Sequence, residues 1–158
     1  MQQPIIISGA GILGCYISCA LSLQGIESIV LEKKDDEVKD SVRTITLNPF
    51  SKNLLDKIGI ENDYSMINKM EVKDFDGTGK IVFKSSEIGM DHLAYVSDFA
   101  TLLMAVRKKA SEKILYKEEI IDIDNKGDLN EVTLSSGKVI KTNLIISSDG
   151  KNSKLANK

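Results

Sequence analysis

At 158 residues, with 42% hydrophobic and 28% charged side chains, the chain is long enough to bury one core and has the balance of an ordinary soluble globular protein. A net charge of −2 and the absence of tryptophan exclude nucleic-acid binding through bulk electrostatics or an aromatic-studded basic stripe.

From Met1 to Gly25 there is no charged side chain, but the stretch reads neither as a signal peptide nor as a membrane span. The first basic residue is Lys33, whereas an export signal carries positive charge ahead of its apolar run. Ser8, Gly9 and Gly11 break that run before Cys15, leaving too little apolar length for lipid. Cys15 and Cys19 lie one helical turn apart. With His92 as the only histidine they read as small apolar helix residues and support no metal site.

Pro4 to Ser8 reads as a buried parallel strand, an isoleucine run without polar alternation. Helical apolar spacing follows through Leu13, Ile17, Ala20 and Leu21 and stops at Gly25. Ser28 to Leu31 is a second apolar strand closed by Glu32, which completes a βαβ unit. Lys33 to Asp40 is a charged, solvated loop. Pro49 and Ser51 open a short helix that Gly59 closes. Residues 69–84 read as a hairpin, with Val72 and Phe75 on one arm, Ile81 and Phe83 on the other, and Asp76-Gly77-Thr78-Gly79 as the turn. Tyr95-Val96 is briefly extended, and Ser97 or Asp98 caps a helix running to Lys108 and Lys109. The last third predicts strands at 119–124, 131–134 and 138–146, with turns at Gly127-Asp128 and Ser135-Ser136-Gly137. The apolar run Leu144-Ile145-Ile146, within the next parallel-strand candidate at 144–147, ends in Ser147-Ser148-Asp149-Gly150.

Between the first strand and the first helix stands Gly9-Ala10-Gly11-Ile12-Leu13-Gly14. In such a turn the first glycine permits the tight bend. The second lets a pyrophosphate approach the backbone, and the third lets the helix pack on the strand. The helix start offers unpaired N–H groups and partial positive charge to the anion. Glu32, about 18 residues after Gly14, is placed to accept hydrogen bonds from the adenosine ribose, with Lys33 beside it. The turn alone does not separate FAD from a nicotinamide. The stretch after Glu32 does: a charged loop, a small helix and a hairpin replace the helix and third parallel strand that a nicotinamide domain would add, so FAD is the expected dinucleotide.

The chain resembles the amino-terminal part of the flavin-dependent aromatic hydroxylases, in particular their ubiquinone-biosynthesis branch. The landmarks come in order: the glycine turn with Glu32; Arg43 in Ser-Val-Arg-Thr-Ile-Thr-Leu; Leu93-Ala94-Tyr95-Val96 before a helix; Ile120; and Leu-Ile-Ile-Ser-Ser-Asp-Gly-Lys-Asn-Ser at 144–153. The resemblance implies FAD as cofactor, with NADH or NADPH as reductant, and transfer of an oxygen atom from O2 to an electron-rich phenolic ring. It places Arg43 near the flavin and its ribityl-pyrophosphate region, Ile120 against the adenine, and Asp149 and Gly150 in a motif that serves both FAD and the reduced nicotinamide. Phe99 and Ala100 depart from the family, which carries a polar flavin contact there.

The expected fold is α/β: a Rossmann-like FAD-binding βαβ unit with an interrupting β-rich segment, truncated relative to the family. Residues 1–158 are expected to form a single, partial FAD-binding domain with a hairpin insertion around 69–84. No side chain is expected to act as acid, base or nucleophile. The chain ends at Lys158, ahead of the family's second flavin motif, which implies weakened FAD binding by these residues alone. Two other functions fit the same residues: a non-catalytic product or half of a split enzyme completed by a second chain, and an NAD-dependent dehydrogenase. The expected location is cytoplasmic, peripheral to the inner membrane if the aromatic substrate carries a prenyl tail.

Overall fold

The computed structural model describes residues 3–38, 42–150, 153 and 155. They divide into two compact units: Met1–Lys39 with Leu103–Lys158, and Asp40–Leu102.

In the first unit the isoleucine run forms β1 (Ile5–Ser8), with Ile6 and Ile7 both fully buried, as a strand covered on both faces requires. The chain crosses through α1 (Ile12–Leu23) to β2 (Ser28–Glu32), which pairs parallel to β1. The Gly25 N–H bonds to the Ser22 carbonyl, and Gly25 itself takes φ of 70°, the left-handed conformation that ends a helix. Period-two alternation gives each strand two faces. Ser28 meets Ser18 of α1 through a buried hydroxyl pair at 2.8 Å. Ile29 and Leu31 face the other way, into a core with Ile6 and Ile145.

That second face is covered by an antiparallel meander of β9 (Ile120–Asn125), β10 (Asn130–Leu134) and β11 (Val139–Thr142). Ile120, Val132, Leu134 and Ile140 of the meander pack against Ile6 and Leu31. Each such side chain, once buried, contributes about 1.5–3 kcal/mol of hydrophobic stabilisation. The parallel sheet has four strands in the order β12–β1–β2–β8, adding β8 (Ile114–Tyr116) and β12 (Ile145–Ser147).

Two features depart from the sequence expectation. β8 is a third parallel strand beside β2, and its three residues between Lys113 and Lys117 are too short for a periodic signal. The stretch 138–146 is not one strand: β11 belongs to the meander, while β12 joins the parallel sheet, as expected of the candidate at 144–147. Thr142, fully buried, makes the change of direction. Its hydroxyl lies 2.7 Å from the Pro4 carbonyl and 2.9 Å from that of Leu144, and it accepts from the Leu144 N–H at 3.2 Å.

The second unit holds β3 (Thr44–Leu47), α2 (Pro49–Lys57), β4 (Ser65–Ile67), β5 (Lys69–Lys73), β6 (Lys80–Lys84) and β7 (Ala94–Asp98), with antiparallel order β3–β7–β4 and a separate β5–β6 hairpin. Asn48 caps α2 by accepting the Ser51 N–H at 2.7 Å. The hairpin registers Met70 with Phe83 and Val72 with Ile81. Phe75 stands in the turn, almost fully exposed, rather than on a strand arm. α3 (Phe99–Lys109) starts in this unit and is capped by Asp98, whose Oδ1 accepts from the Thr101 N–H at 2.7 Å. His92 bonds to Asn68 at 2.6 Å and packs on Tyr95. Among the described residues no group of side chains is arranged to hold a metal, and no helix is long and apolar enough to cross a membrane.

Thr142→Val should keep the core volume but remove the hydroxyl's part-buried hydrogen bonds to Pro4 and Leu144, lowering stability by about 1 kcal/mol in urea unfolding. Burial pushes the Cys15 thiol up to about 12 and raises that of Cys19 as well, against the opposing charge of Lys109 on the latter. Both thiols should therefore resist a disulfide reagent at pH 8 in the native chain and react promptly after unfolding, read as released thiolate absorbance.

Candidate functional site

The carboxyl ends of β1, β2 and β12 meet at one edge of the parallel sheet, where β1 connects to β2 on one side and β12 arrives on the other. An open parallel sheet binds ligands at such a place. The three glycines that follow β1 have separate physical reasons. Gly9 takes φ of 100°, and a Cβ there would lie 2.8 Å from the Asp149 Cα and the Ser148 carbonyl. A Cβ on Gly14 would fall 2.0 Å from the Gly9 carbonyl oxygen and 2.6 Å from the Ser148 hydroxyl. Packing within the protein therefore demands both. Gly11 differs: its φ of −75° suits any residue, and no atom of the described residues lies within 4 Å of its would-be Cβ. Among the described residues none asks for glycine at 11, and Gly11 lines the cleft.

Gly11 is also the N-cap of α1, where no side chain caps the helix and no acidic residue sits in the first turn. The first intrahelical bond runs from the Cys15 N–H to the Gly11 carbonyl at 3.0 Å, so the amides before it are without helical partners. With the helix dipole they make a favourable place for an anion.

Glu32 is mostly buried and held from three directions. Its Oε2 accepts the Ala10 N–H at 3.1 Å and its Oε1 the Lys34 N–H at 3.0 Å, while the Arg107 Nη2 lies 3.5 Å from Oε2. A carboxylate offers about four acceptor sites, so an orienting network of three leaves capacity for a ligand hydroxyl. The buried Arg107 also donates from Nε to the Ala10 carbonyl at 2.9 Å.

At the end of β12 the Ser148 hydroxyl sits 2.8 Å from the Ser8 carbonyl and 3.0 Å from that of Gly9, tying β12 to the turn. The Ser147 hydroxyl donates to Asp149 Oδ1 at 2.7 Å. Partial burial works to raise the Asp149 carboxyl. The hydroxyls of Ser147 and Ser153 and the charge of Lys33 outweigh it and hold the group below the usual carboxylate range.

These elements enclose a cleft of about 420 Å³, within the range of small-molecule sites. Of the residues singled out in the sequence, Gly9, Gly11, Glu32, Lys33, Ile120, Asp149 and Gly150 line it. Ala10 is fully buried and joins the turn to Glu32, and Gly14 is buried in α1. Ile12 is half-buried and Leu13 is exposed on the first turn of α1. Arg43 lies in the other unit, its guanidinium 4.4 Å from the centre of the Phe99 ring, and its carbonyl accepts the Phe99 N–H at 2.9 Å. Phe99, the departure from the family pattern, is thus the partner of Arg43. Ser41, Lys151 and Asn152 of the quoted motifs lie outside the described residues, as do Lys39 and Asp40 of the charged loop.

The sequence reading missed Arg107, Lys34 and Ser148, which also line the cleft. A signal for Arg107 exists. It shares a helical stripe with Leu103, Val106 and Ala110, at spacings of three, four and seven, and a cation on a buried stripe calls for a buried partner.

The model of the FAD binding domain family matches residues 2–158. The chain is 27% identical over 177 residues to the mitochondrial ubiquinone biosynthesis monooxygenase COQ6 of Danio rerio, covering 94% of this chain and 36% of that protein. It is 26% identical over 170 residues to the 3-demethoxyubiquinol 3-hydroxylase of Escherichia coli K12, covering 98% and 43%. It thus spans less than half the length of either relative. A solved structure of a variant of Pseudomonas aeruginosa PqsL superposes with a TM-score of 0.83 at 20% identity, over 100% of this chain and 46% of that one, a likeness of fold. A mixed α/β architecture with a parallel sheet, and a family model matched along nearly its whole length, together establish that the chain belongs to the FAD binding domain family, that of the flavin aromatic hydroxylases.

Proposed function

We propose that this chain is the dinucleotide-holding part of an NAD(P)H- and O2-dependent monooxygenase that hydroxylates a phenolic or quinol-precursor ring, of the kind used in ubiquinone biosynthesis. One observation carries the reading: among the described residues no atom crowds a side chain at Gly11, yet Gly11 stands on the lining of the cleft. A ligand that must approach the backbone closely accounts for it, and the uncapped start of α1 gives that ligand a negative charge.

On this reading the residues present fit FAD. The backbone amides of Gly11, Ile12, Leu13 and Gly14, which precede the first intrahelical bond, hold the pyrophosphate, while Gly9 and Ala10, whose own N–H groups bond to the Leu31 carbonyl and to Glu32, shape the turn beneath it. Glu32, already oriented by Ala10 and Lys34, accepts the adenosine ribose hydroxyls. Lys33 adds positive charge at the cleft, Ile120 offers an apolar wall to the adenine, and Asp149 and Gly150 line the cleft at the end of β12. Arg43 is assigned to the flavin side by the family resemblance alone. When bound, FAD supplies the redox chemistry, drawing electrons from NADH or NADPH and delivering oxygen to the ring. On this reading the chain's own part is to bind, orient and shield, and none of its side chains is assigned the role of acid, base or nucleophile. The matched segment is 36% and 43% of its two relatives, so hydroxylation is proposed for a protein that includes the remainder, on the same chain or on a second one. Both relatives are named for ubiquinone chemistry, which supports an aromatic substrate and, for a prenylated one, a position peripheral to a membrane.

The contrast between the glycines supplies the test. Gly11→Val should leave urea unfolding within about 1 kcal/mol of the parent, because the side chain meets open space. It should weaken FAD binding at least about 100-fold, read by fluorescence polarisation of trace FAD against protein titrated into the millimolar range. Gly14→Ala should behave in the opposite way and lose about 3 kcal/mol of stability or more, since its methyl collides with backbone. Unchanged FAD affinity in Gly11→Val, or tighter binding of NAD than of FAD by the parent chain, would remove the assignment.

A further inference from the structure

Arg107 reaches across 97 residues of sequence to the carbonyl of Ala10, the middle residue of the glycine turn. The two peptide planes flanking Ala10 are gripped separately. In the plane joining Gly9 to Ala10, the N–H of Ala10 is held by Glu32 and the carbonyl of Gly9 faces the Ser148 hydroxyl. In the plane joining Ala10 to Gly11, the carbonyl of Ala10 is held by the Arg107 Nε. A trans peptide is planar, and its C=O and N–H point in opposite directions. Whatever fixes the Ala10 carbonyl therefore fixes the Gly11 N–H.

We propose that Arg107 is a positioning residue of the nucleotide site: by holding the Ala10 carbonyl it aims the Gly11 N–H at the ligand's diphosphate. The proposal rests on the nucleotide reading above. Three further facts support it. The guanidinium is buried, so its orientation is set by partners rather than by solvent. Its Nη2 also lies 3.5 Å from Glu32 Oε2, so one side chain braces both the turn and the carboxylate assigned to the ribose. Its guanidinium carbon also lies 5.7 Å from the centre of the Tyr116 ring, a cation–π partner on the same side chain. A lysine in its place would supply charge and one donor, without the planar fork that serves Ala10 and Glu32 together.

The experiment compares the parent chain with Arg107→Met and Arg107→Lys, by amide NMR without ligand and then during titration with ADP. In the free protein, Arg107→Met should move the Gly11 and Ala10 amide resonances and speed hydrogen exchange at Ala10, while the amides of Ile6 and Val132 in the core stay in place. ADP should then bind about 10- to 100-fold more weakly than to the parent. Arg107→Lys should recover part of that loss together with part of the Gly11 resonance shift, a joint recovery at the turn that a loss of general stability would not give while the core amides stay in place. If Arg107→Met does not fold, the lysine variant carries the comparison through the same resonances. Unmoved Gly11 and Ala10 amides, or ADP affinity within twofold of the parent, would overturn the role of Arg107 while leaving the nucleotide site standing. A parent chain whose turn amides do not respond to millimolar ADP would overturn the nucleotide reading itself.

Discussion

Backbone meets backbone where the end of β1 passes the end of β12, and the site depends on that contact. Gly9 approaches Asp149 and the Ser148 carbonyl so closely that a methyl group would lie 2.8 Å from either. The Ser148 hydroxyl bridges the carbonyls of Ser8 and Gly9 across the same gap. This close approach brings residues from the two ends of the chain to the edge of one sheet. It requires a glycine in the left-handed conformation and leaves the next residues, Ala10 and Gly11, to be aimed by others.

The polar groups around the turn form one connected system. Ala10 is held at its N–H by Glu32 and at its carbonyl by Arg107, which in turn approaches Glu32. Buried polar groups are costly when unpaired, so a closed arrangement of this kind is stable only as a whole. The consequence is a turn whose free amides are fixed before a ligand arrives, and fixed donors bind an anion with less ordering cost than mobile ones. The meander beneath gives the sheet its second face, so that Ile120 is both a core residue and part of the cleft wall.

The sequence made the βαβ unit legible because its signals are local: an unbroken isoleucine run, three glycines in register, a helical stripe and a terminal carboxylate. Capping at Asn48 and Asp98 and the turns at Gly127 and Gly137 rest on equally local chemistry. The features that escaped depend on partners distant in the chain. β8 is too short to show a period, and only its pairing with β2 makes it a strand. The run Leu144-Ile145-Ile146 reads as a parallel strand, but propensity also carries the strand expected at 138–146 straight through the polar Lys141-Thr142-Asn143, because the change of sheet there is made by a hydroxyl meeting Pro4. Arg107 looks like the first of three basic residues at a helix end, and only its contact with Ala10 separates it from Lys108 and Lys109. Arg43 and Phe99 show the same limit. The family pattern singles out both, and the structure adds that they stack on each other.

The open space above Gly11 is the place where a diphosphate must sit if the cleft is a nucleotide site. A crystal structure of the chain with FAD tests this most directly. The prediction is diphosphate oxygens within hydrogen-bond distance of the amides at the start of α1, with the adenosine ribose on Glu32 and the adenine beside Ile120. A nucleotide bound elsewhere, or one whose phosphates avoid that helix start while Glu32 keeps only Ala10, Lys34 and Arg107, would contradict it.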